Sequence, residues 1–263
     1  MIETVLAITC IGFGCSFALA IAAKFFEVKE NPKIGEVNNL LPGANCGACG
    51  YAGCMDYAKA VVNDDAELNL CAPGGSDVTA SLCEYLGKTA EAAEKQVAIV
   101  LCMGTDDVAK RRFEYNGIAD CRSAQLVGGG DKACTYGCLG YGTCASVCPT
   151  NAIEMINGVA KVHPELCIAC GKCISVCPRN LIKLVPAKST VHILCSSKDK
   201  GPIVRKVCTS GCIGCTMCVR LTKEEESISM DGFLAKIDYT KEVQNKAIVE
   251  KCPPKCIIDT SNN

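Results

Sequence analysis

Tryptophan is absent from the 263-residue chain, and aromatic residues make up only 5% of it, so a core built mainly from large rings is excluded. The only two histidines are His163 and His192, and neither belongs to a pattern with cysteine or carboxylate that predicts acid–base or nucleophilic catalysis. Basic and acidic residues nearly balance at a net charge of −1. No surface for nucleic acid is therefore predicted.

Cysteine is the residue in excess, with 24 copies. A disulfide scaffold is the first alternative for such a composition in a secreted chain. Many of these cysteines stand in closely spaced triplets, however, and several successive disulfides rarely fit that spacing. Zinc is the second alternative, but structural zinc sites use two separated pairs and often include histidine. The triplets therefore favour iron–sulfur clusters.

The segment 134–177 contains two cysteine runs that each end in Cys-Pro. The second run reads C-x2-C-x2-C-x3-C-P, the pattern of bacterial two-cluster ferredoxins, in which the fourth cysteine of each run binds the other cluster. This crossing predicts two neighbouring [4Fe-4S] clusters. The predicted ligands of one are Cys134, Cys138, Cys144 and Cys177. Those of the other are Cys148, Cys167, Cys170 and Cys173.

The N-terminal run, residues 5–23, carries no charge, and about 20 apolar residues allow a helix to cross a bilayer. The sequence therefore predicts a retained transmembrane anchor over residues 1–26. A cleaved signal peptide is the alternative, but the chain begins with Met1-Ile2-Glu3 and not with basic residues. Lys24 and Lys29 follow the run, so the positive-inside rule predicts that the rest of the chain lies in the cytoplasm.

A separate cysteine unit follows a predicted polar linker, residues 27–41. Its four cysteines predict one locally held [4Fe-4S] cluster: Cys46, Cys49, Cys54 and Cys71. Glycines between them allow the backbone to wrap closely around a bulky group. A zinc module is the alternative, although C-x2-C-x4-C is an uncommon zinc spacing. Residues 76–96 are predicted to form a helix, and QVAIVLC is predicted to form a buried strand.

The C-terminal part repeats the ferredoxin-like segment in eroded form. VAIVLC, ending at Cys102, aligns with VHILC, ending at Cys195, and residues 133–138 align with residues 207–212. One ligand set is replaced as a whole, by Thr222, Glu242, Asn245 and Ile248. The other set is complete and predicts one more cluster, with ligands Cys212, Cys215, Cys218 and Cys252. An exchange of Cys208 with one of the first three stays open.

Eight cysteines lie outside these four sets: Cys10, Cys15, Cys83, Cys102, Cys121, Cys195, Cys208 and Cys256. A fifth cluster held by Cys83, Cys102, Cys121 and Cys195 is an alternative, but their spacing contains no triplet. Free cysteine is among the most buried residue types, so structural thiols are the favoured interpretation.

The predicted fold class is α+β. A transmembrane helix precedes a small helical [4Fe-4S] domain and two bacterial-ferredoxin-like units, the second degenerate with one cluster. The predicted boundaries are an anchor at 1–26, a linker at 27–41, a single-cluster domain at 42–96, a two-cluster domain at 97–187 and a degenerate domain at 188–263.

The order of these features resembles that of the B subunit of Rnf complexes, which are membrane-bound, ion-translocating ferredoxin:NAD oxidoreductases. The resemblance rests on the N-terminal run, LPGANCGACGYAGC, the VAIVLC strand and ACTYGCLGYGTC with its following Cys-Pro. It covers essentially the whole chain. The first cysteine unit alone also resembles domains of corrinoid iron–sulfur proteins.

The resemblance implies an electron-transfer subunit of a ferredoxin:NAD+ oxidoreductase translocase, with no catalytic residue of its own. Such a subunit is a single-pass protein of the cell inner membrane with its clusters in the cytoplasm. It takes electrons from reduced ferredoxin and relays them through four [4Fe-4S] clusters while Na+ or H+ is transported. Its expected partners are an NADH/FMN-binding subunit and flavin-bearing, multi-span membrane subunits. The alternative function is a membrane-tethered polyferredoxin module that serves an unrelated redox enzyme.

Overall fold

The computed structural model describes residues 2–25, 31–90 and 94–261. The first element is helix α1, Ile2–Phe25. The predicted membrane crossing is wrong, because no helix within these described ranges is long and apolar enough to span a bilayer.

Three helices form the N-terminal cysteine unit: α2 Pro32–Leu40, α3 Cys54–Val62 and α4 Gly75–Leu86. Helix α2 lies within the predicted linker. Asn31 caps it by accepting a hydrogen bond from the Lys33 N–H (3.1 Å), and Pro32 occupies its first turn, where a missing N–H costs nothing. Its apolar residues Ile34 and Val37 are buried against α3 and α4. Burial of each such side chain contributes about 1.5–3 kcal/mol.

The first ferredoxin-like unit contains four strands and three short helices. In chain order they are β1 Gln96–Val100, α5 Cys121–Leu126, α6 Thr143–Ser146, β2 Ile153–Ile156, β3 Val159–Val162, α7 Lys172–Val176 and β4 Ile182–Pro186. Strand β1 pairs antiparallel with β4, with Gln96 opposite Pro186. Strands β2 and β3 form a hairpin whose turn residues, Asn157 and Gly158, both have positive φ, as a type I′ turn requires.

The second ferredoxin-like unit has the same order of strands. Its elements are β5 Val191–Ile193, α8 Gly201–Val207, α9 Met217–Leu221, β6 Ile228–Asp231, β7 Leu234–Ile237, α10 Ala247–Lys251 and β8 Ile257–Asp259. Strand β5 pairs with β8, and β6 pairs with β7, in each case antiparallel. These pairs correspond to β1 with β4 and to β2 with β3. The repeat read from the sequence is therefore also a repeat of the fold.

Backbone hydrogen bonds join the two ferredoxin-like units. The Lys110 N–H donates to the Val207 carbonyl (2.9 Å), and the Thr209 N–H donates to the Val108 carbonyl (3.0 Å). Between these bonds, Ala109 and Cys208 form an antiparallel bridge. This junction brings the loop that carries Cys208 against the first unit.

Candidate metal centres

The N-terminal site consists of the four cysteines predicted for it: Cys46, Cys49, Cys54 and Cys71. The Cys71 thiol is buried between α3 and α4, and burial, together with the nearby Cys54, Cys46 and Cys49, raises its pKa. The side chain of Asn45 accepts a hydrogen bond from the Cys54 N–H (2.8 Å) and fixes the start of α3 against the cysteine loop. All four cysteines are thus close enough for three of them to act electrostatically on the thiol of Cys71.

Site I, in the first ferredoxin-like unit, is a cavity that Cys138, Cys144 and Cys177 line together. The sequence grouped these three with Cys134, but Cys134 lines a different cavity. Cys121 lines site I in its place. Burial raises the pKa of Cys144 to about 12, and Cys138, Cys121 and Cys177 all contribute to the rise. These four thiols therefore form one electrostatically coupled group.

Hydrogen bonds at the start of α5 hold Cys121 beside α6. The Asp120 carboxylate caps α5 by accepting from the Ser123 N–H (2.8 Å), and it also accepts from the Thr143 hydroxyl (2.8 Å). The oxygen of Thr143 in turn accepts from the Cys121 N–H (2.7 Å). Cys144 follows Thr143 directly. Two segments that lie apart in sequence are thereby joined at this site.

In the first unit, Tyr141 occupies the position at which the second unit has the middle cysteine of its triplet. The second unit contains C-x2-C-x2-C, formed by Cys212, Cys215 and Cys218, and the aligned positions in the first unit are Cys138, Tyr141 and Cys144. Tyr141 instead packs edge-on against Tyr115, with ring centroids 5.2 Å apart, next to Cys121 and Leu139. Cys121 belongs to no ligand set predicted from the sequence; the signal that could have indicated its place beside Cys138 and Cys144 is this tyrosine between two cysteines.

Site II is a cavity lined by Cys148, Cys167, Cys170 and Cys173, the complete set predicted for it. Burial, followed by the nearby Cys170 and Cys167, raises the pKa of Cys173 to about 11. Backbone N–H groups point at two of the sulfurs: Ala98 donates to Cys167 Sγ and Ala152 to Cys148 Sγ, each at 3.3 Å. For Cys148, such donors outweigh the effect of burial and lower its pKa.

Site III, in the second unit, is lined by its four predicted cysteines and by Cys256. The sulfurs of Cys252 and Cys256 lie 3.7 Å apart. Hydrogen bonding from Cys256 lowers the pKa of both Cys212 and Cys252, and the same bonds raise the pKa of Cys256 itself. Cys256 is thus close enough to Cys212 and Cys252 to exchange hydrogen bonds with their sulfurs. Cys215 is the exposed member of this set, so site III reaches the surface.

The second unit contains no counterpart of site II among its described residues. Thr222 is buried and donates from its hydroxyl to the Cys218 carbonyl (3.0 Å), and Asn245 donates to the Leu221 carbonyl (2.9 Å). Ile248, only 1% exposed, belongs to the apolar core, and Glu242 is exposed. Packed side chains therefore fill the place of the four cysteines.

The donor sets suit [4Fe-4S] clusters better than single metal ions. Across the described ranges, no three His, Cys, Asp or Glu side chains converge as ligands of one ion. A single zinc draws its ligands to about 2.3 Å from one point, whereas a cluster binds each thiolate to a different iron. Thiol-only sets around small, mainly apolar cavities, with N–H donors at the sulfurs, are the environment that such clusters require.

Two family models match parts of the chain. The model FeS, described as an Fe-S cluster, matches residues 41–73, which contain the N-terminal site. The model of the LdpA Fe-S cluster-binding domain matches residues 134–188, which contain site II and most of site I. Both matched regions thus contain closely spaced cysteines.

Several curated proteins are similar over most of the chain. The B subunit of the Na(+)-translocating ferredoxin:NAD(+) oxidoreductase complex of Acetobacterium woodii is 46% identical over 93% of this chain and 74% of its own length. The B subunit of the ion-translocating oxidoreductase complex of Methanosarcina acetivorans is 40% identical over 98% of this chain and 97% of its own. The B subunit of the proton-translocating ferredoxin:NAD(+) oxidoreductase complex of Clostridium ljungdahlii is 40% identical over 98% of this chain and 92% of its own length.

Proposed function

The chain belongs to the family of B subunits of ion-translocating oxidoreductase (Rnf) complexes, and from this premise we propose that it relays electrons from reduced ferredoxin through at least four [4Fe-4S] clusters. It is an electron-transfer subunit of a ferredoxin:NAD+ oxidoreductase complex. The observation that carries the proposal is that sites I, II and III each gather four cysteines from separate segments around one cavity.

The proposed ligand sets follow the cavities. The N-terminal site uses Cys46, Cys49, Cys54 and Cys71. Site I uses Cys121, Cys138, Cys144 and Cys177. Site II uses Cys148, Cys167, Cys170 and Cys173. Site III uses Cys212, Cys215, Cys218 and Cys252.

Bound clusters would supply the one-electron carriers, and the chain's own residues would fix their positions and surroundings. Crossed ligation would keep sites I and II adjacent. Cys144 of site I lies in the short helix α6, and Cys148 of site II lies two residues beyond its end. Cys173 of site II lies in α7, and Cys177 of site I directly follows that helix. The N–H donors at Cys148 and Cys167 stabilise negative charge on sulfur, which raises the reduction potential of site II relative to a site without them.

The proposed partners follow from the family. Reduced ferredoxin would be the electron donor, and the acceptors would be the NADH/FMN-binding subunit and the flavin-bearing, multi-span subunits of the complex. Both the donor and the reduced thiols needed for cluster assembly belong to the cytoplasm, so we place the cysteine-rich units on the cytoplasmic side of the membrane that the complex occupies. The coupling ion is Na+ or H+, as the names of the relatives indicate for those proteins.

The experiment uses the full chain, reconstituted anaerobically with iron and sulfide. Reduced ferredoxin should bleach its visible absorption and produce EPR signals of reduced clusters. The Cys144→Ser and Cys173→Ser variants should each lose about four iron atoms per chain. Protein that binds zinc instead of iron, or clusters that ferredoxin does not reduce, would contradict the proposal. Isolation from the native membrane without flavin-bearing subunits would favour the alternative of a module for another redox enzyme.

A further inference from the structure

Four cysteines outside sites I, II and III meet in one cavity between the two ferredoxin-like units. The inter-unit cavity is lined by Cys102, Cys134, Cys195 and Cys208. We propose that these four thiols hold a further [4Fe-4S] cluster, which connects the two units. This inference rests on the proposed function as an iron–sulfur relay and adds a carrier to it.

The sulfurs face a space that two glycines leave open. A Cβ placed on Gly104 would lie 3.5 Å from Cys102 Sγ and 3.7 Å from Cys208 Sγ. A Cβ on Gly137 would lie 3.6 Å from Cys102 Sγ and 3.5 Å from Cys134 Sγ. Three sulfurs thus lie within van der Waals distance of the backbone at two glycines. Glycine at such positions is typical of a backbone that closely approaches a bulky group.

The fourth thiol belongs to the same group by electrostatics and by position. Burial raises the pKa of Cys195 to about 12, and Cys212 and Cys102 contribute to the rise. Cys195 lies two residues after the end of β5, as Cys102 lies two residues after the end of β1. In the alignment of the two units, Cys208 corresponds to Cys134. Each unit therefore contributes the same two positions, which gives the cavity a pseudo-twofold ligand set.

Matching N–H donors point at the sulfurs from both units. Cys102 Sγ accepts from the N–H groups of Cys138 (3.3 Å) and Gly104 (3.4 Å). Cys195 Sγ accepts from those of Cys212 (3.2 Å) and Ser197 (3.5 Å). Backbone N–H donors to cysteine sulfur also occur at site II, and hydrogen bonds to the ligand sulfurs are typical of iron–sulfur sites.

A buried cation faces the same cavity. The side chain of Lys132 is only 1% exposed, and its ammonium donates to the carbonyls of Gly104 and Gly158, each at 2.8 Å. The carboxylate closest to it, that of Asp106, is 3.6 Å away and also pairs with Arg111 at 2.7 Å. A cluster bound by four thiolates carries net negative charge, which would stabilise the lysine in its buried position.

The inter-unit cavity lies between site I and site III, where a cluster could carry electrons from one site to the other. Cys138, which donates to Cys102, is a proposed ligand of site I, and Cys212, which donates to Cys195, is a proposed ligand of site III. A cluster here would be separated from each neighbouring site by one residue contact. Electrons would then pass from the first unit to the second through the protein interior.

The test counts iron and sulfide in the reconstituted full chain by native mass spectrometry and chemical analysis. We expect five clusters, with about twenty iron atoms per chain. The double variant Cys102→Ser/Cys195→Ser should lose about four irons and four sulfides and retain the other clusters. The matched control is Cys83→Ser, a half-buried cysteine outside these cavities, which should lose none. Full iron in the double variant, zinc in the cavity, or saturation of the wild type at four clusters would overturn the proposal.

Combination with Cys134→Ser separates this site from site I. If Cys134 belongs to the inter-unit cavity, its substitution in the double variant should remove no further iron, because that cluster is already lost. A further loss of about four irons would assign Cys134 to site I and overturn the ligand set. A wild-type chain that binds no cluster would refute the relay itself, and this outcome differs from loss of the inter-unit cluster alone.

Discussion

The two ferredoxin-like units share strands, turns and cysteine positions, but they differ in what occupies the place of site II. In the first unit four cysteines line a cavity there. In the second, Ile248 is buried at the position of Cys173, and Thr222, at the position of Cys148, bonds to the backbone. Because the strand pairing is unchanged, the fold of this unit does not depend on a second cluster. Apolar and hydrogen-bonded side chains can take the structural place of such a cluster.

The units also differ in which cysteines line sites I and III. Site III is lined by Cys215, within the triplet, and site I by Cys121, from a separate helix. Cys215 is exposed, whereas Cys121 is buried. We therefore expect site III to be more accessible to solvent than site I.

The largest effect expected from this comparison is the loss of a cluster on substitution of Cys121. Cys121→Ser should remove about four irons per chain, because site I keeps only three thiolates. Tyr141→Cys in the same chain should restore them, since it gives the first unit the triplet of the second. Iron analysis and EPR of both variants provide the measurement.

The control for this exchange is Tyr141→Cys alone, which should bind the normal amount of iron. Retention of all iron in Cys121→Ser would show that another thiol completes site I. Failure of Tyr141→Cys to rescue would show that the two units place this ligand differently.

A smaller effect is expected from Ile248→Ala. Removal of a buried isoleucine of this kind costs about 2–5 kcal/mol of unfolding free energy. Chemical denaturation of the loaded chain, followed through the absorption of site III, should show the loss. Ile203→Ala on α8 is the matched control: its side chain is 48% exposed, so its cost should stay within about 0.5 kcal/mol. Equal effects would mean that Ile248 does not support the second unit.

Much of this comparison is readable in the sequence, because cluster ligands recur at short fixed intervals. Site II follows from its triplet and the remote Cys148, and the replaced set follows from alignment of the two units. Strands β1 and β5 follow from apolar runs that end before a cysteine. Local spacing and the exchange of whole ligand sets thus predict which cysteines belong together.

Features that depend on tertiary contacts were not predictable in this way. The approach of Cys121 to Cys144 requires the hydrogen bonds between Asp120 and Thr143, which spacing does not show. The inter-unit cavity requires two repeats to pack together. The short helix α2 has only two buried apolar residues, too few to reveal helical periodicity. The membrane crossing predicted from composition was wrong, since no described helix meets its requirements.

Three glycines with positive φ within the cysteine runs provide a further comparison. Gly140 has φ +88°, and a Cβ there would lie 2.6 Å from the Gly158 carbonyl oxygen; its counterpart Gly214, at +67°, would place one 2.8 Å from that of Phe233. Gly171 has φ +72° but an open surrounding. All three alanine substitutions incur the left-handed penalty of about 1–2 kcal/mol. Gly140→Ala and Gly214→Ala should each cost roughly 1–3 kcal/mol more, because the clash is with backbone. Denaturation midpoints of the three variants test this, and a Gly171→Ala of equal cost would contradict it.

The smallest effect is expected from Cys256→Leu. Cys256 lies beside the sulfur of Cys252, yet its aligned residue in the first unit is Leu181, which is buried next to Cys177. If Cys256 only donates a hydrogen bond, the variant should retain all its iron, and the loss of that donor should lower the reduction potential of site III, as measured by redox titration. The matched variant Cys252→Ser should lose about four irons. Loss of iron in Cys256→Leu as well would indicate that Cys256 is a ligand. Sites I and III would then differ at this position too, because the first unit has Leu181 there.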